Sequence, residues 1–550
     1  MARLDQLAPM KVVAQMAAVI GREFSLDILE AIAPLPKRDL RAAIDRLLSS
    51  GLLFRSGPLA RESFTFKHAL VQDEAYASLL RAERRTLHRK IADVLVANLS
   101  TVGEGGAEIV AHHYTQAGDS RIAIDYWLKA AQQASGRSAF VEASRHLKAA
   151  LDLLAELPAT RERDALELKL QTSRGSALAQ GRGFGADETS QAFRRAIELF
   201  DRFEPSAQVF SVLNGLIGVY VARGEFEQSR DLAVDLLARA GQRNDSTARL
   251  MGHRALGMSL FLIGELPSAR DHLQKSIELY DVTLHGPLAL VFSQDFKVSA
   301  QAYMGLASVL FGDINSALEN GRAAVAHADQ LQHPHSICYA LTFLAGALLL
   351  SRNPQPVYPL IERSMRLADE YGFPLWTAAG QMLGGWTRLE LGDAPQALIE
   401  IRRSLEALEA TGALIWVHFA RYLLAAALFK ANRTQEAIEE LDQDLAKIAG
   451  TSGRWYEAEL HRIRGGLQLA RGEPDAAEAC YLKAVAIATR QGARLWQLRA
   501  ENDFASMRRI QGRFAEVRAR LAPLYASFGN ETAYPDVADA GHLLADIAPH

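Results

Sequence analysis

The sequence predicts a mainly α chain: a solenoid of helical hairpins with a 40-residue period, preceded by a small domain of three helices and a β-hairpin. Two observations carry that prediction. A polar corner, most often Gly followed by Asp or Glu, falls at Gly224, Gly264, Gly312, Arg352, Gly392, Asn432, Gly472 and Gly512, so every interval is 40 residues except one of 48. Mostly small residues keep a fixed distance from it. Five positions on stand Ser229, Ala269, Ala317, Val357, Ala397, Ala437, Ala477 and Val517; seven back stand Ile217, Gly257, Gly305, Ala345, Gly385, Ala425, Gly465 and Ala505. Self-similarity at a fixed period marks a repeat array in which each unit buries its apolar face on the next, and small residues recur where two helices must touch.

Residues 1–80 do not share the period. Apolar residues at helical spacing place helices near 5–19, 25–33 and 38–50, divided by Gly21 and by Pro34 and Pro36. Residues 52–55 and 63–67 then read as two short strands joined by a turn at Gly57 and Pro58, with any sheet confined to about residues 52–67. Three helices and a hairpin are the layout of a winged helix. Helices resume over 69–80 and 82–99, so residues 81–106 link this domain to irregular helical repeats at 107–222, with corners at Gly118 and Ser138 and a loop at 180–185. The strict register occupies 223–528. Each unit is a long helix ending at the corner, a second helix, and a loop that often holds Gly, as at Gly372, Gly412 and Gly492. The 48-residue interval carries an insertion near 284–297, where Gly286 and Pro287 interrupt the pattern, and residues 529–550 form a capping tail.

Composition narrows the function. A chain of 550 residues exceeds what one globular core supports, but a solenoid grows by stacking. Strong helix formers dominate over the β-branched alternation a forty-residue propeller blade needs. A net charge of -3 sets up no field that dictates a polyanionic partner. Cys338 and Cys480 lie far apart in apolar helical patterns, as buried thiols of a reducing compartment do. The apolar stretch 12–20 is too short to span a bilayer and lacks a signal-peptide pattern, so the expectation is a cytoplasmic protein without a membrane partner.

The corner, plus-five and minus-seven residues resemble a lengthened tetratricopeptide repeat. Five segments extend the resemblance: Ala2–Leu7, Ala18–Phe24, Phe66–Asp73, Ala111–Tyr114 and Trp455–Arg462. Together they are similar to the C-terminal half of bacterial class III adenylate/guanylate cyclase and AAA/STAND ATPase signalling proteins, in which a nucleotide-binding domain precedes a winged helix and long tetratricopeptide-like arrays. The resemblance implies a regulatory module that binds a protein or small-molecule ligand on its concave face and passes the event to an upstream nucleotide-binding domain. Since Ala2–Leu7 resembles the end of that domain, Met1 would correspond to an internal position of the longer relatives. The chain has no Gly-x-x-x-x-Gly-Lys-Ser/Thr loop and no catalytic cluster, so the expectation is a non-enzymatic chain without a cofactor or metal of its own; ATP or ADP is implied only for a full-length relative.

His68 is the candidate site residue. It opens a helix directly after a strand, where free backbone N–H groups favour an anion, and related STAND proteins sense nucleotide with a histidine at this junction; capping the helix is the structural alternative. A transcriptional regulator binding DNA through the winged helix is the second functional reading. Residues 1–100 carry 15 Lys and Arg against 11 Asp and Glu, but Asp39 and Asp45 interrupt Arg38, Arg41 and Arg46, so no clean basic face results. Arg81, Arg84, Arg85, Arg89 and Lys90 on the next helix read as a solvated face or an intramolecular contact. The pairs His112/His113 and His333/His335 have no carboxylate or thiol at ligand spacing, and Gly181, Gly183 and Gly185 follow no strand, as a flexible connection would. Trp376, Trp416 and Trp496, each 24 positions after a corner, with Trp455 and Tyr456 in the same role, are read as core anchors, with a ligand-facing stripe as the alternative.

Overall fold

The protein is described here by a computed structural model covering residues 8–56, 62–97, 105–200, 207–292, 294–449, 453–529 and 534–547. The resemblance at Ala2–Leu7, the turn at Gly57 and Pro58, and parts of the 81–106 link and of the tail lie outside the described residues. The chain forms two compact units that divide at Leu170, inside the helix Arg161–Arg182.

The first unit opens with α1 (Ala8–Ile20), β1 (Glu23–Ser25), α2 (Leu26–Ile32), α3 (Lys37–Ser49), β2 (Leu53–Ser56) and β3 (Ser63–Phe66). The sheet is antiparallel in the order β1-β3-β2, with Phe24 opposite Phe64. Its third strand corrects the expectation that sheet is confined to 52–67. Three residues are too short to show alternation, and Ser25 accepts a hydrogen bond from the Ile28 amide at 3.3 Å, a helix-start signal that hides the strand. What makes 23–25 a strand is tertiary: Phe24 packs on Phe64 and Phe66 at 5.8 Å between ring centroids. The helices α4 (Ala69–Ala77) and α5 (Arg81–Ala97) follow. Residue 80 is no break in the core. Ile91, Ala92 and Leu95 of α5, with Val110, Tyr114 and Ala123 beyond it, belong to the same apolar cluster as Met10, Phe64 and Leu47.

The second unit is the repeat array. All eight corners have positive φ, from 55° at Arg352 to 94° at Gly264, which explains the preference for glycine and, at Asn432, asparagine. The minus-seven and plus-five residues meet as the spacing requires. A Cβ on Gly305 would lie 3.3 Å from the Ala317 carbonyl oxygen, and one on Gly385 would lie 3.3 Å from that of Ala397. The first helix of each pair is buried almost all round, as in Phe296–Phe311, whereas the second keeps one exposed face. The insertion forms two single-turn helices, Val282–His285 and Ala289–Phe292, around a 3₁₀ turn.

The array coils back onto itself. Arg454 and Trp455 donate their amides to the Leu262 carbonyl at 3.0 and 3.2 Å, and Gln491 donates to Arg454 O at 2.6 Å. Further along, Arg499 donates to Leu350 O at 2.9 Å and Tyr534 to Val309 O at 3.5 Å, partners 149 and 225 positions apart. The Gly181–Gly185 segment, expected as a flexible connection, takes part in this closure. A Cβ on Gly185 would sit 2.1 Å from Gly412 O, so only glycine lets the two backbones meet there. The concave face is therefore narrowed into an interior that stays partly open to solvent.

Candidate functional site

Inside the coil, first helices from opposite sides face one another across a chamber that is partly open to solvent. Its walls are aromatic. Tyr339 and Phe343 stack at 4.5 Å with planes 5° apart; Trp376 meets Tyr339 edge-on at 5.3 Å and Trp416 meets Phe343 edge-on at 5.6 Å. Both tryptophans begin first helices, so the 40-residue period itself brings them to the same level of the interior. The Trp series thus splits: Trp376 and Trp416 line the chamber, whereas Trp455 stacks on Trp496 at 5.6 Å and lies 5.4 Å from Phe261 as core. The insertion contributes Phe292 and, just beyond it, Gln294.

Arg254 is the one charged side chain among the lining residues apart from the titratable His335. It is 4% exposed. Its Nη2 donates to Asn214 Oδ1, its Nη1 lies 3.7 Å from Met258 Sδ, and its guanidinium lies 5.5 Å from the centroid of Phe296; Nε has no partner in the protein. Burial pulls the Arg254 pKa below its usual value, only partly offset by Tyr339 and Tyr303. His335 is pushed down to about 3, first by burial and then by His333, so it is neutral at physiological pH. Its Nδ1, Gln180 Oε1 and Trp376 Nε1 also lack partners.

A second interior region is charged, with three arginines paired among four carboxylates. Arg499 reaches Asp536 at 2.8 Å and Glu459 at 3.4 Å, Arg462 reaches Glu459 at 2.9 Å and Asp503 at 2.7 Å, and Arg352 reaches Asp539 at 2.7 Å. Through Asp536, the C-terminal helix Pro535–Asp546 is fastened to the corner at Arg352.

In the first unit, His68 is exposed at the N-cap of α4 and makes no capping bond through its side chain. Lys37 and Arg41 of α3 both reach Glu30, at 2.9 and 3.6 Å, and Arg89 pairs with Asp119, an intramolecular contact of the kind expected for that basic run. His112 is exposed, but His113 is buried and shares a 2.8 Å bond between Nδ1 atoms with His88, whose Nε2 faces Tyr76 Oη at 3.1 Å. Burial pushes His88 down to about 4 and His113 to about 3, which makes this a neutral core contact. Glu108, Glu142 and His146 place three potential ligand atoms close together, a grouping the sequence spacing did not suggest because two repeats supply it. Arg145 and Arg137 already pair with the two carboxylates, at 3.5 and 2.5 Å. Cys338 is buried, its thiol pushed up to about 12; Cys480, expected to be buried, is only half-buried because it lies on a second helix. Among the described residues no helix is long and apolar enough to cross a membrane.

No protein-family model matches the chain. An uncharacterized protein of Rhizobium meliloti (strain 1021) is 25% identical over 514 residues, which cover 93% of this chain and 50% of that protein. The chain thus spans about half the length of the curated relative it matches. Among solved structures, a Rap protein complexed with competence and sporulation factor is 13% identical with a TM-score of 0.45, over 69% of this chain and 97% of that one. A STAND signal-transduction ATPase with a tetratricopeptide repeat sensor from Pyrococcus horikoshii is 11% identical with a TM-score of 0.38, over 86% of this chain and 63% of that one. Aspartyl phosphate phosphatase F from Bacillus subtilis is 12% identical with a TM-score of 0.38, over 68% and 94%. At these scores the similarities assign no activity to this chain.

Proposed function

We propose that this chain is the non-catalytic sensor portion of a larger signalling protein of the STAND ATPase type, and that its helical coil takes a ligand inside. The observation that carries the reading is the aromatic pocket inside the coil, whose largely apolar lining includes one buried charged side chain, Arg254, the usual make-up of a ligand site. The topology of the first unit, three helices with a three-stranded antiparallel sheet, supports a winged helix between the sensor and an upstream nucleotide-binding domain. His68, exposed at a helix start, is proposed to meet a nucleotide phosphate there. DNA binding through the first unit is less favoured, since Lys37 and Arg41 of α3 already reach Glu30.

The test is ligand capture. Purified chain is equilibrated with the small-molecule fraction of its host's extract and examined by native mass spectrometry, beside a variant in which Val221→Trp fills the chamber. A bound mass in the wild type that the variant does not retain supports the reading. Capture of nothing, or equal capture by both, overturns it.

A further inference from the structure

Arg254 differs from the other buried arginines of the second unit in having no acid beside it. Arg462, Arg499 and Arg508 each pair with at least one carboxylate. Arg254 is as deeply buried as Arg508 and more so than Arg462 and Arg499, yet among the described residues no carboxylate lies within ion-pair distance of it, and its neighbours are an amide, a thioether and a phenyl ring. Removing a cation from water without an anion is among the costlier things a fold can do. Replacing such a residue with an apolar side chain of similar length would stabilise the protein, so its presence calls for an anion from outside. The rest of the lining agrees. Trp376, Trp416, Tyr339 and Phe343 offer flat apolar surface.

We infer that the chamber binds a small organic acid, its carboxylate on Arg254 and a flat apolar body between Trp376 and Trp416. This rests on the proposal that the coil takes a ligand inside, and adds its charge and shape. A cationic ligand is disfavoured because the lining holds no carboxylate and one fixed positive charge. The same chemistry arises in a free aromatic acid and in the C-terminal residue of a short peptide ending in Phe, so both belong in the test.

Calorimetric titration of the full chain uses phenylacetate and indole-3-acetate, their amides, 2-phenylethylamine, and Ala-Ala-Phe as free acid and as amide. The acids should bind at least tenfold more tightly than the matched amides, with the amine weakest; comparing free acids with the tripeptide acid tells the two sources apart. In Arg254→Met the preference for acid over amide should disappear, and Arg254→Lys should restore part of it. The melting temperature of unliganded Arg254→Met should be no lower than that of the wild type. Equal binding of acids and amides overturns the assignment of charge but leaves the ligand chamber standing. So does capture from extract of a ligand that carries no acid. A marked fall in melting temperature for Arg254→Met makes Arg254 a structural residue, and failure of every probe to bind at millimolar concentration also counts against the inference. Failure of both the probes and the extract removes the chamber reading as well.

Discussion

Gly385→Ala tests the contact on which the repeat depends. The substitution has two opposed effects. In a helix interior Ala is favoured over Gly by about 1 kcal/mol, so on propensity alone the variant gains stability. The new Cβ, however, lies 2.7 Å from Ile401 Cγ1, 3.2 Å from the Ile401 amide nitrogen and 3.3 Å from Ala397 O. The first neighbour belongs to a fully buried side chain and the other two to backbone, so the helices Pro374–Glu390 and Ala394–Ala410 must separate. Overpacking of this kind costs roughly 1–3 kcal/mol. Gly241→Ala is the matched control, since Gly241 is also helical, with nothing within 4 Å of its added Cβ. Propensity cancels between the two, which leaves Gly385→Ala less stable than Gly241→Ala by roughly 1–3 kcal/mol, or about 5- to 150-fold in amide protection. Because a repeat array need not unfold in one step, hydrogen exchange across residues 374–410 is a better readout than a single global melting curve. Gly385→Leu should cost more still. If Gly385→Ala protects those helices as well as the control protects its own, the minus-seven residues are small for some reason other than close approach.

Three further outcomes follow from the charges. His335 stays neutral to about pH 3 in the fold but takes a proton near 6.5 when unfolded, so the unfolded state binds more protons in between and stability falls as pH drops through that window, by on the order of 5 kcal/mol in all. His335→Phe should therefore lose less melting temperature than the wild type between pH 7 and 4.5, and an unchanged slope would show that His335 is already charged. Asp536→Asn removes the anion shared by Arg499 and Arg352 and should cost about 3 kcal/mol, seen as faster exchange in Pro535–Asp546; unaltered protection there would mean that the C-terminal helix is held by its apolar contacts alone. In a longer protein carrying the proposed nucleotide-binding domain, His68→Ala should weaken ADP retention by roughly 1.5–3 kcal/mol in calorimetry, and equal affinity would reduce His68 to a helix-start residue.

The array was legible in the sequence because its constraints are local. A positive φ at a corner and a close approach between adjacent helices each restrict one residue type at one spacing, so Gly264 or Ala317 announces itself wherever the period places it. Strand β1 was not legible, since three residues carry no period and the strand they pair with lies far along the chain, Phe64 being 40 positions beyond Phe24. The coil's closure was hidden for a related reason. Gly185 against Gly412, and Arg454 against Leu262, join parts of the chain whose separation depends on the small rotation each repeat adds, a quantity that many weak contacts set and no single residue reports. The chamber combines both cases. Its tryptophans were visible at 24 positions past the corner because each also anchors a helix start, but Arg254 sits at an interior position the repeat does not constrain, in a helix where a cation is unexpected. A charged residue that breaks the local pattern without a carboxylate to pair with is where function is expected to override foldability, so the position that periodicity could not explain is also the one that points to a ligand.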